Sequence, residues 1–287
     1  MVLRPLSLVE LKDIFDDTAI KVIEFFIKKS VFSQPERIFG QEHLPIQVPK
    51  EHIEQWIVQA IGANPVGAGN YGVDVVKPGV FGADVKMLSC KIDAFGNVTN
   101  SDSGETSLAQ NFKDTGISLD QLFQAERYDE IVDGWKKIIQ YKLQKVKNEQ
   151  SVDKIYYIFI LRAGTSFKLC GMEVDLAEIQ NIRPSHASSS SLFIDNFIDP
   201  NYGGVKIYKA KKRMELRLRA KYWVDHNMTL NFNLNFNSEQ VSIRELVENK
   251  TIYAYEQKLA KSVFFNKGVD QKHDTNINYD FFSTLDK

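Results

Sequence analysis

GVDVVKPGVFGADVKMLS, residues 72–89, is the stretch whose reading decides the rest of the chain. Its β-branched arms flank Pro78-Gly79, so it reads as a β-hairpin. Proline does not suit the primed two-residue turns, which favours a longer loop. A three-residue loop closing Lys77 on Phe81 sets Asp74 directly opposite Asp84. Opposed residues share a face, with Cβ atoms roughly 5 Å apart. Alternation then puts Lys86 on the same face as Asp84, while Val85 and Met87 point the other way. Two carboxylates that close repel each other unless a cation lies between them. Oxygen ligands in this number suit a hard divalent ion such as Mg²⁺.

The D/E-x-K triplet alone carries no weight, because the chain holds five. Four of them (Glu10–Lys12, Glu248–Lys250, Glu256–Lys258 and Asp270–Lys272) lie in helical or loop sequence. Only Asp84-Val85-Lys86 sits on a β-branched strand with another Asp one hairpin arm upstream. The plain alternative is a surface hairpin with an incidental salt bridge.

The composition sets wide limits. The 287 residues include 36 Lys+Arg against 37 Asp+Glu, so any nucleic-acid role must rest on a local patch. Two cysteines, Cys90 and Cys170, are too few for a disulfide framework, and a reducing cytoplasmic setting is expected. No run reaches transmembrane length, and no membrane association is expected. The five histidines show no ligand spacing, and Walker A and G-x-S-x-G patterns are missing. Cys90 reads as a buried small residue rather than a nucleophile.

Outward from the hairpin, residues 7–30 read as helix, broken near Asp16-Asp17. A second helix follows Pro49 and stops at Gly62, with Ile53, Trp56, Ile57, Ala60 and Ile61 as its apolar arc. Glu54 falls at the edge of that arc, either snorkelling to water or leaning toward the hairpin as a third acid. Residues 64–72 form a glycine-rich connection without dinucleotide-loop spacing. KIDAFGNVTN reads as a small β-turn-β excursion, SDSGETSLAQNF as a polar loop entering a helix, and residues 117–149 as mostly helix. DKIYYIFILRA (153–163) is a strand buried on both faces, with FKLCGMEVDL as its neighbour. Residues 181–204, with their four-serine run, read as a long loop, either a linker or a binding loop. Residues 205–224 alternate as one strand that places Arg213, Glu215, Arg217, Arg219, Lys221 and Trp223 on one face. MTLNFNLNF alternates again, Ser242 caps a helix running to about Phe265, and a polar tail follows. The expected fold is α/β, a mixed central β-sheet flanked by helices with a β-rich and helical C-terminal addition. Its expected segments are 1–48 (helical), 49–180 (core) and 181–287 (an extension of the same domain).

At Asp74, Asp84 and Lys86 the chain resembles the PD-(D/E)XK nuclease superfamily, and within it the type II restriction endonucleases. The pattern is an acid on one strand, D/E-x-K on the next, and a preceding helix that often carries another acid. Asp74, Asp84, Lys86 and Glu54 match those positions, although Val73 stands where proline is usual. Gln110 matches a polar residue that some members carry on the helix after the motif. The resemblance covers about residues 50–165. It implies a restriction-endonuclease-like core in which Asp74, Asp84 and the Val85 carbonyl hold Mg²⁺. Lys86 would orient or help deprotonate the attacking water.

The resemblance further implies a Mg²⁺-dependent, sequence-specific cut of double-stranded DNA in a prokaryotic cytoplasm, by a homodimer with residues 1–30 as a candidate contact. Arg213, Arg217, Arg219 and Lys221, opposed only by Glu215, are the expected DNA-contacting stripe; the alternative is a solvated sheet face. Two other functions compete, a non-catalytic DNA-binding or assembly protein and a structure-specific repair nuclease. The residue chemistry by itself points to metal-dependent hydrolysis of a phosphate ester.

Overall fold

A computed structural model describes residues 1–41, 46–66, 72–99, 105–110, 112, 118–233 and 240–264. The chain divides into two compact units, residues 1–30 with 44–234, and residues 31–43 with 235–287. The Asp74/Asp84 hairpin and the strands after residue 181 belong to the first unit.

The N-terminal helices form where local signals put them. After a short strand β1 (Leu3–Pro5), Ser7 caps α1 (Leu8–Ile14) in a reciprocal capping box with Glu10. Asp16 then accepts the Ala19 N–H at 2.8 Å and starts α2 (Asp17–Phe32), so the break falls where the two aspartates placed it. Helix α3 (Lys50–Ile61) ends on Gly62, whose φ of 60° is the left-handed cap that glycine adopts at no steric cost. Its expected arc, Ile53, Trp56, Ile57, Ala60 and Ile61, is buried, and Trp56 stacks on Phe26.

The main sheet contains β2 (Asn64–Pro65), β3 (Val75–Lys77), β4 (Phe81–Ser89) and β1. After β5 (Glu105–Gln110), α4 (Leu119–Gln124) and α5 (Tyr128–Gln150), the sheet continues with β6 (Lys154–Ala163) and β7 (Ser166–Val174). Its order is β1-β7-β6-β4-β3-β2, with β4 and β6 parallel and its other pairs antiparallel. A parallel pair needs a long crossover, and α5 lies in it. Strand β6 is central and buried, as its unbroken apolar run requires. The excursion after β4 is a single Ile92–Val98 bridge around a turn at Gly96, φ 83°.

The C-terminal half departs from the expectation. Residues 181–204 are not a loop. A 3₁₀ turn (Ala177–Asn181) leads into β8 (Arg183–Ala187) and β9 (Ser191–Asp195). Strand β8 is an exposed edge carrying Pro184 and Ser185, the composition that edges tolerate and that reads as loop. The expected single strand over 205–224 is three elements, β10 (Gly203–Tyr208), β11 (Arg213–Leu218) and α6 (Ala220–Asp225). The alternation runs unbroken through a hairpin turn at Lys209–Lys212, where Lys212 takes φ 47°. Trp223, expected on the polar face, is fully buried on α6 and donates its Nε1–H to the Tyr202 carbonyl. SLAQ, expected to enter a helix, lies in β5, which pairs with β11.

These strands make a second, antiparallel sheet, β5-β11-β10-β9-β8. Its inner face (Leu192, Val205, Ile207, Met214, Leu216) shares one core with Trp135, Ile139 and Leu143 of α5 and with β6. Helix α5 packs on both sheets. Strand β12 (Leu230–Asn233) returns to the main sheet and shares the free edge of β7 with β1. In the second unit, Ser242 caps α7 (Ile243–Glu248) as expected, but the helix breaks before α8 (Ile252–Phe264). There Val241 N–H bonds the Arg37 carbonyl and Phe32 meets Phe264. The polar tail lies outside the described residues. Among the described residues no helix is long and apolar enough to cross a membrane.

Candidate active site

The hairpin has the register that a three-residue loop demands. Lys77 pairs with Phe81, Val76 with Gly82 and Val75 with Ala83. Gly79, at φ 71°, supplies the left-handed residue of the loop. One step further, Asp74 N–H donates to the Ala83 carbonyl at 2.9 Å, and there β3 ends. Strand β4 runs on past that edge, and among the described residues no strand pairs with Val85 on this side. Asp74 Oδ2 accepts the Val85 N–H at 2.8 Å instead. The Lys86 ammonium donates to the Val85 carbonyl at 3.3 Å and to Asp74 Oδ2 at 3.0 Å. It also closes on Asp84 Oδ1 as an ion pair.

Asp84 is 4% exposed. Burial drives its carboxyl up to about 7; the charge of Asp74 and a hydrogen bond with it add to the rise, while Lys86 and Lys142 oppose it. For Asp74, burial also pulls upward, but the hydrogen bond with Asp84, the Lys86 charge and the Val85 N–H outweigh it and hold the group down. The pair therefore titrates as a unit, with Asp74 ionised and Asp84 keeping the proton longer. Burial would lower Lys86, yet Asp84 and Asp74 together raise it, so it stays an ammonium.

This donor set fits a hard divalent ion. Asp84 Oδ1 is buried against the Lys86 ammonium, and the oxygens of Asp74, Asp84 and Val85 meet around that ammonium at one strand edge. Mg²⁺ needs one or two carboxylates, with water and substrate phosphate completing its shell. Among the described residues no group of three or more His, Cys, Asp or Glu gathers to hold a metal. Glu54 sits half-buried on α3, which packs on β4.

The other expected residues fall elsewhere. Gln110 is on β5, not on a helix, opposite Arg213. Arg213 and Arg217 lie on β11, but Arg219 precedes α6 and Lys221 pairs with Asp225 on that helix. The four cations are therefore not one stripe. The charge imbalance read from the sequence is also reduced. Arg217 lies 3.7 Å from Glu105 of the neighbouring strand, and Glu215 is buried against Lys211.

One residue was missed. Lys142 sits mid-stripe on α5, among Ile131, Trp135, Ile139, Leu143 and Val146. Burial lowers its ammonium, while the charge of Asp84 pulls the other way. Its Nζ donates to the Leu108 carbonyl at 3.0 Å. That carbonyl is available because Leu108 is the extra residue of a β-bulge, between Ser107 opposite Glu215 and Ala109 opposite Met214. The stem of Lys142 passes Gly72, where a Cβ would stand 2.9 Å from its Cγ and Cε. A lysine inside an apolar helical stripe was the signal that could have revealed it.

Cys90 is half-buried and burial raises its thiol to about 11, which removes it as a nucleophile near neutral pH. No family model, no curated protein and no solved structure matches this chain.

Proposed function

We propose that this chain is a Mg²⁺-dependent endonuclease that hydrolyses phosphodiester bonds of double-stranded DNA, in the manner of a site-specific type II restriction enzyme. One observation carries the reading. Two aspartates, a lysine and a backbone carbonyl converge where β3 leaves β4, and one of the acids is almost fully buried. Burying two facing carboxylates costs free energy unless a cation uses them. The sequence resemblance to PD-(D/E)XK nucleases supports the same roles, with an acid on one strand end and D-x-K on its neighbour. A bound Mg²⁺ would supply Lewis-acid stabilisation of the charge that builds on the phosphate.

The chain's own groups have separable tasks. Asp74, Asp84 and the Val85 carbonyl would hold the ion. Lys86, kept charged, donates hydrogen bonds and so orients a water or a phosphate oxygen rather than accepting a proton in this arrangement. Duplex DNA as substrate comes from the resemblance, as does the homodimer, the simplest way to cut both strands of a symmetric site.

The competing reading is a non-catalytic DNA-binding protein in which Lys86 merely clasps the hairpin. It is favoured by the three internal partners of Lys86. Supercoiled plasmid incubated with Mg²⁺ or EDTA separates the two. Metal-dependent linear fragments, lost in Asp74→Ala and Lys86→Ala with the fold intact, support the nuclease. Retardation of DNA without any cut in Mg²⁺ or Mn²⁺ refutes it.

A further inference from the structure

Two stretches that the sequence keeps apart meet at one end of the second sheet. Ser191 pairs with Tyr208, so the β8–β9 turn (Ser188–Ser190) and the β10–β11 turn (Lys209–Lys212) emerge side by side. The Lys209 N–H donates to the Ser190 carbonyl at 3.0 Å and ties the turns together. Ser188 Oγ accepts from the Ser191 N–H at 3.1 Å and lies 3.0 Å from Ser191 Oγ, which orders the serine turn. Opposite it stand four cations in five residues, Lys209, Lys211, Lys212 and Arg213. Lys211 reaches the buried Glu215; the other three make no ion pair with a described residue. Along the adjoining sheet face Lys211 lies 4.5 Å over the Tyr208 ring and Lys206 4.7 Å over the Phe193 ring, a face that Glu105 and Glu215 share, so the unbalanced charge is that of the turn itself.

The location matters as much as the charge. Arg213 pairs with Gln110, two residues from Leu108, whose carbonyl holds Lys142 beside the aspartate pair. Two residues of strand span roughly 7 Å. Exposed ammonium groups with hydroxyls suit phosphate oxygens, which side chains of these types contact without reading sequence. A solvated face mixes signs, whereas residues 209–213 contain no acid.

We propose that the Ser188–Ser190 and Lys209–Arg213 turns form a contact surface for the phosphate backbone of duplex DNA, holding the strand that flanks the aspartate site. This rests on the nuclease reading only for the choice of duplex DNA. The test is binding in EDTA, where no cut can occur, by anisotropy of a fluorescein-labelled duplex of arbitrary sequence over a salt series. The variant is Lys209→Gln/Lys212→Asn/Arg213→Gln. It spares Lys211, which neutralises Glu215, and puts at position 212 a residue that tolerates positive φ.

Each lost phosphate contact flattens the log–log salt slope by about 0.9, so the triple variant should flatten it by about 3 and weaken every duplex alike. A second variant, Ser189→Glu, puts a like charge against the phosphates without touching the cations and should also weaken binding. Unchanged urea midpoints show that either loss is not unfolding. An unaltered slope in the triple variant, or no binding by the parent chain, overturns the proposal. A parent that binds through these turns but never cuts in Mg²⁺ leaves this surface standing and removes the nuclease reading; cutting with an unaltered slope does the reverse.

Discussion

Asp84→Asn should stabilise the protein above neutral pH and change little near pH 4. The cause is the burial of Asp84 beside Asp74, which lifts its carboxyl from 3.8 to about 7. A raised acid is one that the folded state keeps protonated after the unfolded chain has let go. Stability is then full below 3.8, declines as pH rises through the window up to about 7, and is flat beyond it. Asp74 moves the opposite way; its lowered carboxyl adds stability above 3.8 that is lost only as pH falls below that value, so it does not cancel the effect inside the window. About three pH units at about 1.4 kcal/mol each set a ceiling of about 4 kcal/mol on what the pair costs at pH 8. Asparagine keeps the size and removes the charge. Urea unfolding followed by tryptophan fluorescence, in EDTA from pH 4 to 8, measures the gap between parent and variant. It should open between pH 4 and 7 and then stay constant. Mg²⁺ at pH 8 should close it by stabilising the parent alone, because a bound cation removes the repulsion. A gap independent of pH, or a parent that outlasts the variant at pH 8 without metal, would refute the reasoning.

Three further outcomes are expected. Lys142→Met removes a charge that pulls the Asp84 carboxyl down, so the acid limb of Mg²⁺-dependent cleavage should move to higher pH with its plateau unchanged; a stationary limb in the pH–rate profile counts against it. Gly72→Ala forces a methyl to 2.9 Å from the Lys142 stem and 3.2 Å from Val146, and should cost about 1–3 kcal/mol in urea unfolding. Adding Lys142→Ala should recover part of that loss, and strict additivity would show that the two do not meet. Cys90, with its thiol raised to about 11, and the buried Cys170 should resist iodoacetamide at pH 8 in the folded protein and react in urea; rapid labelling of the folded chain by mass spectrometry would contradict the burial.

The hairpin that carries the candidate site was legible because everything that shapes it is local. Pro78-Gly79 sets the loop, the loop sets the register from Lys77–Phe81 to Val75–Ala83, and Asp74 and Asp84 follow where that register stops. The α3 arc and its Gly62 stop were legible for the same reason, since helical period and a left-handed cap are properties of a dozen adjacent residues. The second sheet was not. Alternation says which way side chains point, but it runs through the turn at Lys209–Lys212 and into α6 without marking either. Only cross-strand pairing fixes where such a strand stops.

The same limit applied to charge. Residues 213–217 looked unbalanced because Glu105, the acid beside Arg217, lies more than a hundred residues upstream. Lys142 acts on Asp84 through its charge from a helix about sixty residues further on, its ammonium held by a bulge in a strand that reads as loop. Sequence by itself determined the acids, the hairpin register that leads up to them and the helix before them, because short-range backbone geometry dictates each. Tertiary structure alone decided which cations face those acids and which acids silence the others, because burial and cross-strand contact set the strength of a charge and neither is written in its neighbours along the chain.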